Sequence, residues 1–251
     1  MASSKISALT DGTTPADTDE FPIARAGANR KLTWLQMRSA AGAVHTWAEL
    51  LALSGVPDGA VYRVALPVIA GGAYGTSWVW GGGVWRPAGM QALWHLTAQA
   101  DGVSGGSSSE QILAAALVSP GVLSGARAVV MQSRWITSGS DGAARYMRMR
   151  VGTAGSTSDA AVHVWATASA SARVIVFSTH LSADGASALL ASSYPTSSGN
   201  AMDVMQAVTA APASATAVPD MTANALYVSL SVQQSSASST ISLQRAWLEV
   251  W

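Results

Sequence analysis

Apolar and polar positions alternate most regularly near the C-terminal end of the chain. Leu226, Val228, Leu230 and Val232 share one parity, with Tyr227, Ser229, Ser231 and Gln233 on the other. Period two with one apolar side predicts a half-buried strand. Met147, Met149 and Val151 alternate with Tyr146, Arg148 and Arg150 in the same way. Val174-Ile175-Val176-Phe177 is apolar at both parities, which predicts a strand central in its sheet or covered by another subunit. In the last segment Ile241 and Leu243 share one parity while Ala246, Leu248 and Val250 share the other, so a bulge is expected near Gln244 or Arg245. With these, the strands predicted in residues 91–251 are 92–99, 111–118, 126–137, 143–152, 160–167, 173–179, 201–208, 225–233 and 240–250, separated by Ser, Gly and Ala. Many short strands with little helical signal predict an all-β unit, a two-sheet sandwich or jelly roll.

Residues 43–90 read as a smaller β module with one short helix. Thr46-Trp47-Ala48-Glu49 has the spacing of a capping box and predicts a helix over 46–53. Pro57-Asp58-Gly59 marks a turn before a strand at 60–66. Strands at 76–80 and 84–87 flank Gly81-Gly82-Gly83 as a hairpin. Residues 1–42 form a third region, an extended arm. Two strand-like pieces, 21–25 and 30–34, flank Ala26-Gly27-Ala28-Asn29, and a short helical piece is expected at 35–39. A lone hairpin of this length is marginal in water, so it needs a surface to lean on.

The run from Lys5 to Trp34, KISALTDGTTPADTDEFPIARAGANRKLTW, resembles the N-terminal segment of bacteriophage tail-fibre and other virion appendage proteins. The pattern WAELLALSGVPDGAVYRV…SWVWGGGVWRP is similar to a small β module of such proteins. ILAAALVSPGVLSGARAVVMQSRWITSGSDGAARYMRMRVGT is similar to the opening of a jelly-roll domain at their C-termini, and ISLQRAWLEVW matches its closing strand loosely. The resemblance implies a structural virion protein and not an enzyme, assembled in the host cytoplasm and located in the virion. Its arm would dock on tail, connector or capsid proteins, it would form a homotrimer, and its β domain would face the host surface. On that reading Phe21, Ile23, Leu32 and Trp34 offer apolar strand faces to a particle groove, and Arg25, Arg30 and Lys31 offer charge-assisted contacts. A head fibre, a capsid decoration or connector protein, and a lectin-like module binding a host surface glycan remain as alternatives.

Charge and composition narrow the field. Only 11% of residues are charged and the formal net charge is zero. Covered surfaces and a neutral polar surface of Ser, Thr and Gln both fit that value. A nucleic-acid binder would need a basic face, so none is expected. With no cysteine there is no disulfide framework and no thiolate chemistry. MASSKISALTDG lacks an apolar core behind a basic segment, and no run is apolar enough to span a bilayer; neither a leader nor membrane insertion is expected.

The candidate chemistry is sparse. His45, His95, His163 and His180 show no ligand-type spacing, so no metal or cofactor is expected, and His163 reads as a surface or interface histidine. Most Asp residues lie beside Gly or Ser, as turn residues do, and no carboxylate pair stands out for glycoside cleavage. No nucleophile elbow or phosphate loop is present. Of the ten tryptophans, Trp78, Trp80, Trp85 and Trp94 read as the aromatic core of the small module, with a sugar-stacking platform as the alternative. Tyr146, Arg148 and Arg150 on one strand, with His163 and Trp165 on the next, are candidates for a subunit or receptor contact, against the plainer reading of a solvated face.

Overall fold

A computed structural model describes residues 20–25, 28–33, 42–96, 98–101, 109–126, 128–138, 144–167, 173–197, 215–234 and 240–251. The chain is all-β, with several antiparallel sheets and, among the described residues, two short helices. β1 (Glu20–Arg25) and β2 (Ala28–Thr33) pair antiparallel as a two-stranded sheet. The connection is shorter than the four-residue turn read from sequence, because Ala28 and Asn29 join the ladder opposite Arg25 and Ala24. The expected helical piece at 35–39 and the strand at 201–208 lie outside the described residues.

The small module holds β3 (Ala43–Val44), α1 (Trp47–Ala52), β4 (Val61–Val64), β5 (Thr76–Gly81) and β6 (Val84–Pro87), in sheet order β3-β4-β5-β6. Thr46 caps α1, its hydroxyl accepting from the Glu49 amide at 3.1 Å. Glu49 reaches back to the His45 amide at 2.8 Å, one residue earlier than the usual capping box, and satisfies a second orphan donor. Gly82 and Gly83 both take positive φ, as a type I′ two-residue hairpin turn requires. Trp78 is fully buried against Trp47, with ring centroids 4.5 Å apart, and Trp85 meets Trp80 in a tilted contact at 5.1 Å.

The larger unit contains β7 (Gln91–His95), β8 (Ala100–Asp101), β9 (Gln111–Val118), α2 (Val122–Gly125), β10 (Val129–Ser138), β11 (Arg145–Gly152), β12 (Ala160–Thr167), β13 (Arg173–Ala183), β14 (Ala188–Ser197), β15 (Thr216–Ala217), β16 (Leu226–Gln234) and β17 (Thr240–Val250). One sheet has the order β15-β14-β13-β10-β17-β7, with β8 also on β17; the other is β12-β11-β16-β9. Inward residues of both sheets, among them Trp135, Met147, Met149, Phe177, Leu230 and Leu248, belong to one hydrophobic cluster. That cluster runs on into the small module through Trp47, Trp78 and Trp85.

The two units are joined by directional bonds as well as by packing. Trp47 Nε1 donates to the Pro120 carbonyl at 2.7 Å. The Gln91 amide bonds both backbone groups of Ser77, each at 2.6 Å. Ile69 bridges Val118, and Ser119 N donates to the Val68 carbonyl at 3.2 Å, so the outer edge of β9 is covered at its C-terminal end. Covering an edge removes a site for unwanted strand pairing.

The bulge expected near Gln244 or Arg245 is present: Arg134 faces Arg245 and Trp135 faces Leu243, which leaves Gln244 as the extra residue. β13 is central, between β10 and β14, as its two-sided apolar run predicts. Three expectations need correction. β14 was not predicted, and β7 ends at His95, well short of the strand expected over 92–99. β16 is not half-buried, since Ser229 and Ser231 on its polar side are fully buried beneath neighbouring side chains.

Candidate functional site

The candidate arm residues fall at defined register positions. Phe21 pairs with Leu32, Ile23 with Arg30, and Arg25 with Ala28, all at one parity; Lys31 pairs with Pro22 at the other. The hairpin therefore brings Phe21, Ile23, Arg25, Arg30 and Leu32 to the same parity and sets Lys31 apart. Trp34 lies outside the described residues.

In the sandwich, alternation along β11 puts Met147 and Met149 into the core and turns Tyr146, Arg148 and Arg150 outward. There both arginines meet Glu110, which immediately precedes β9. Arg150 grips it with two parallel bonds, Nε to Oε1 and Nη2 to Oε2, both at 2.6 Å. Arg148 Nη1 lies 3.4 Å from the same carboxylate, and its Nη2 donates to Gln233 Oε1 at 2.8 Å. Ser231 donates to Glu110, and Arg150 donates to the Asp159 carbonyl. The Arg148 guanidinium sits 5.1 Å from the Tyr146 ring centroid, in the range of a cation–π contact.

This cluster is largely shielded, with Glu110 and Arg150 side chains 13% and 12% exposed. Burial by itself pushes the Glu110 carboxyl up. Hydrogen bonds from Arg150 and Ser231, with the charges of Arg148 and Arg150, outweigh it and hold the carboxyl below its ordinary range. Both carboxylate oxygens are occupied by donors. The arrangement ties the start of β9 to β11 and β16; it holds no carboxyl poised to give or take a proton.

His163 and Trp165 go the other way. Their pairing with Met149 and Met147 places them on the inward side of β12, and they are 5% and 2% exposed. His163 is thus not the surface or interface histidine expected. A bulge at Val162 shifts the parity, so simple alternation misplaces the strand's first half. Trp165 stacks on Phe177 at 4.4 Å and donates Nε1 to Ser193 Oγ at 2.9 Å. His163 lies 4.9 Å from the Trp165 ring, and burial pushes its imidazole pKa down.

Sequence reasoning missed Glu110, Ser231 and Gln233 as partners of the two arginines. Glu110 is 38 and 40 positions from them, and only the order β11-β16-β9 brings it near. Other carboxylates are engaged locally. Asp159 accepts from the Ala154 and Ser156 amides, Asp220 accepts from Thr222, and Glu249 accepts from Gln132 at 3.4 Å. Among the described residues no group of three or more His, Asp or Glu is placed to hold a metal ion. Among the described residues no helix is long and apolar enough to cross a membrane. No family model, curated protein or solved structure matches this chain.

Proposed function

We propose that this protein is a structural component of a bacteriophage virion, a tail fibre or similar appendage that docks through its N-terminal region and presents its β domain outward. The sequence of residues 5–34 carries the reading. Its support in the fold is that β1 and β2 pair with each other alone among the described strands, and a two-stranded hairpin needs a surface to be stable in water.

The strand order lends support to a jelly roll. Counting β7, β9, β10, β11, β12, β13, β16 and β17 as strands one to eight, one sheet reads 1-8-3-6 and the other 2-7-4-5. That alternation is what two interleaved Greek keys produce. β14 and β15 extend the first sheet beyond β13.

The test is removal of residues 1–42. The remaining chain should keep a cooperative thermal transition and lose its association with phage particles on a density gradient. Retained association would remove the docking role. Light scattering on the full-length protein tests the homotrimer that the resemblance implies, and a monomeric mass would withdraw it.

A further inference from the structure

The outer face of the larger sheet carries a second pair of arginines in a different setting. Arg134 on β10 and Arg245 on β17 are direct cross-strand partners, both on the outward side. Directly opposed residues in an antiparallel pair hold their Cβ atoms about 5 Å apart, and like charges there repel. Among the described residues neither guanidinium has an ion pair or side-chain hydrogen bond. Glu249 lies on the same face beyond Trp247 and is held by Gln132, and Asp101 stands at the register position opposite Ser242. The bulge adds Gln244 beside Arg245, and Gln244 Oε1 is buried with no hydrogen-bond partner among the described residues.

The next register row completes the surface. Trp247 is half-buried on the outward side, between Gln132 on β10 and the exposed His95 on β7. A tryptophan set between an amide and an imidazole, one row from two guanidinium groups that hold no ion pair among the described residues, has the chemistry of an acidic-sugar site. The ring offers a flat apolar surface to the C–H face of a pyranose. The guanidinium pair offers forked donors to an anionic group.

We propose that this face, centred on Arg134, Arg245 and Trp247, binds a saccharide bearing a carboxylate or phosphate group. The anion bridges the two arginines and relieves their repulsion, while the sugar ring lies on Trp247 with Gln132 and His95 at its hydroxyls. The proposal gives a ligand class to the outward-facing β domain of the reading above. It fails separately from that reading, since docking is measured on particles and this site on the purified full chain.

Isothermal titration of the full-length protein tests it with five probes: a uronic-acid oligosaccharide, a sialyl oligosaccharide, a sugar phosphate, the neutral oligosaccharide matching the first, and inorganic phosphate. At least one acidic probe should bind, the neutral one should bind about tenfold more weakly or not at all, and Arg134→Gln or Arg245→Gln should each cost about tenfold in affinity. Trp247→Ala should weaken sugar binding and leave inorganic phosphate binding unchanged. Neither arginine variant threatens folding, because each removes one of two like charges. Binding of no acidic probe, equal binding of the neutral probe, or affinity unchanged in the arginine variants would each overturn the proposal. Inorganic phosphate bound as tightly as any sugar would reduce the site to a plain anion site and overturn the saccharide assignment.

Discussion

The two outer faces of the sandwich each carry two arginines, and they differ in what answers the charge. On β11, Arg148 and Arg150 converge on Glu110, with Gln233, Ser231 and the Asp159 carbonyl completing the set. Across β10 and β17, Arg134 and Arg245 confront each other with no carboxylate bonded to either among the described residues. Buried polar groups are costly when unpaired, so a closed set of donors and acceptors is a structural device. An open set on an exposed face is where an outside anion gains most. The residue type is the same in both places; the inventory of partners tells them apart.

Removing the shared carboxylate is the strongest way to break this contrast. Glu110→Gln leaves two shielded guanidinium groups facing a neutral amide and should cost about 2–3 kcal/mol of stability. Urea unfolding gives the number. A loss under about 0.5 kcal/mol, in the range of ordinary surface substitutions, would mean that the cluster is not a closed structural unit.

Acid titration probes the same carboxylate. The folded pKa of Glu110 lies below its unfolded value, so its contribution to stability is present above the unfolded value and fades as pH falls through the folded one. Wild type should lose more stability than Glu110→Gln on acidification below the ordinary carboxylate range. Equal losses in the two proteins would contradict the lowered pKa.

His163 belongs to neither face, and its pH window is separate. Its folded pKa is depressed by burial, so the unfolded chain binds the proton first, and stability falls as pH drops below the ordinary histidine value. His163→Gln should flatten stability between neutral and mildly acidic pH, and Glu110→Gln should not. A slope in that range unchanged by the histidine replacement would assign it to another group.

Within the closed cluster the two arginines should rank. Arg150 makes the forked bond to Glu110 and a third bond to the Asp159 carbonyl; Arg148 makes a longer contact at 3.4 Å and one bond to Gln233. Arg150→Met should cost about 2 kcal/mol and Arg148→Met about 1 kcal/mol, by the usual worth of charge-assisted bonds. The reverse order in urea midpoints would say that the cation–π contact with Tyr146 outweighs the forked bond.

How much of this was legible in the residues follows from where the signal is local. β9, β12 and β17 start and stop where their apolar runs do, and the parity break at Gln244 marks a true bulge. β14 has no such pattern, since Ala188 to Ser197 lacks a clean period and contains Pro195, which argues against a strand. β15 pairs only with Ala188 and Leu189, so at Pro195 the outer side of β14 has no ladder partner among the described strands, a position where a sheet tolerates proline. The outward arginines of β11 could be read from alternation, but their carboxylate could not, because Glu110 precedes its strand and joins them only through sheet order. Arg134 and Arg245 are 111 positions apart, and no pattern within either strand announces that they meet.

The smallest expected effect is the most discriminating for the open face. Arg134→Gln removes one of two opposed like charges and should raise stability by about 0.5 kcal/mol, the scale of a cross-strand charge pair. Arg245→Gln should do the same, and the double variant should gain no more than either single one, because the repulsion is lost once. The gain should shrink in roughly 1 M salt, where screening reaches within the spacing of the pair. A loss of stability in either single variant would mean that the arginine already has a structural partner, and the two faces would then be alike. A gain that persists in high salt would trace to packing around Val176, the β13 partner of Arg134, and not to charge.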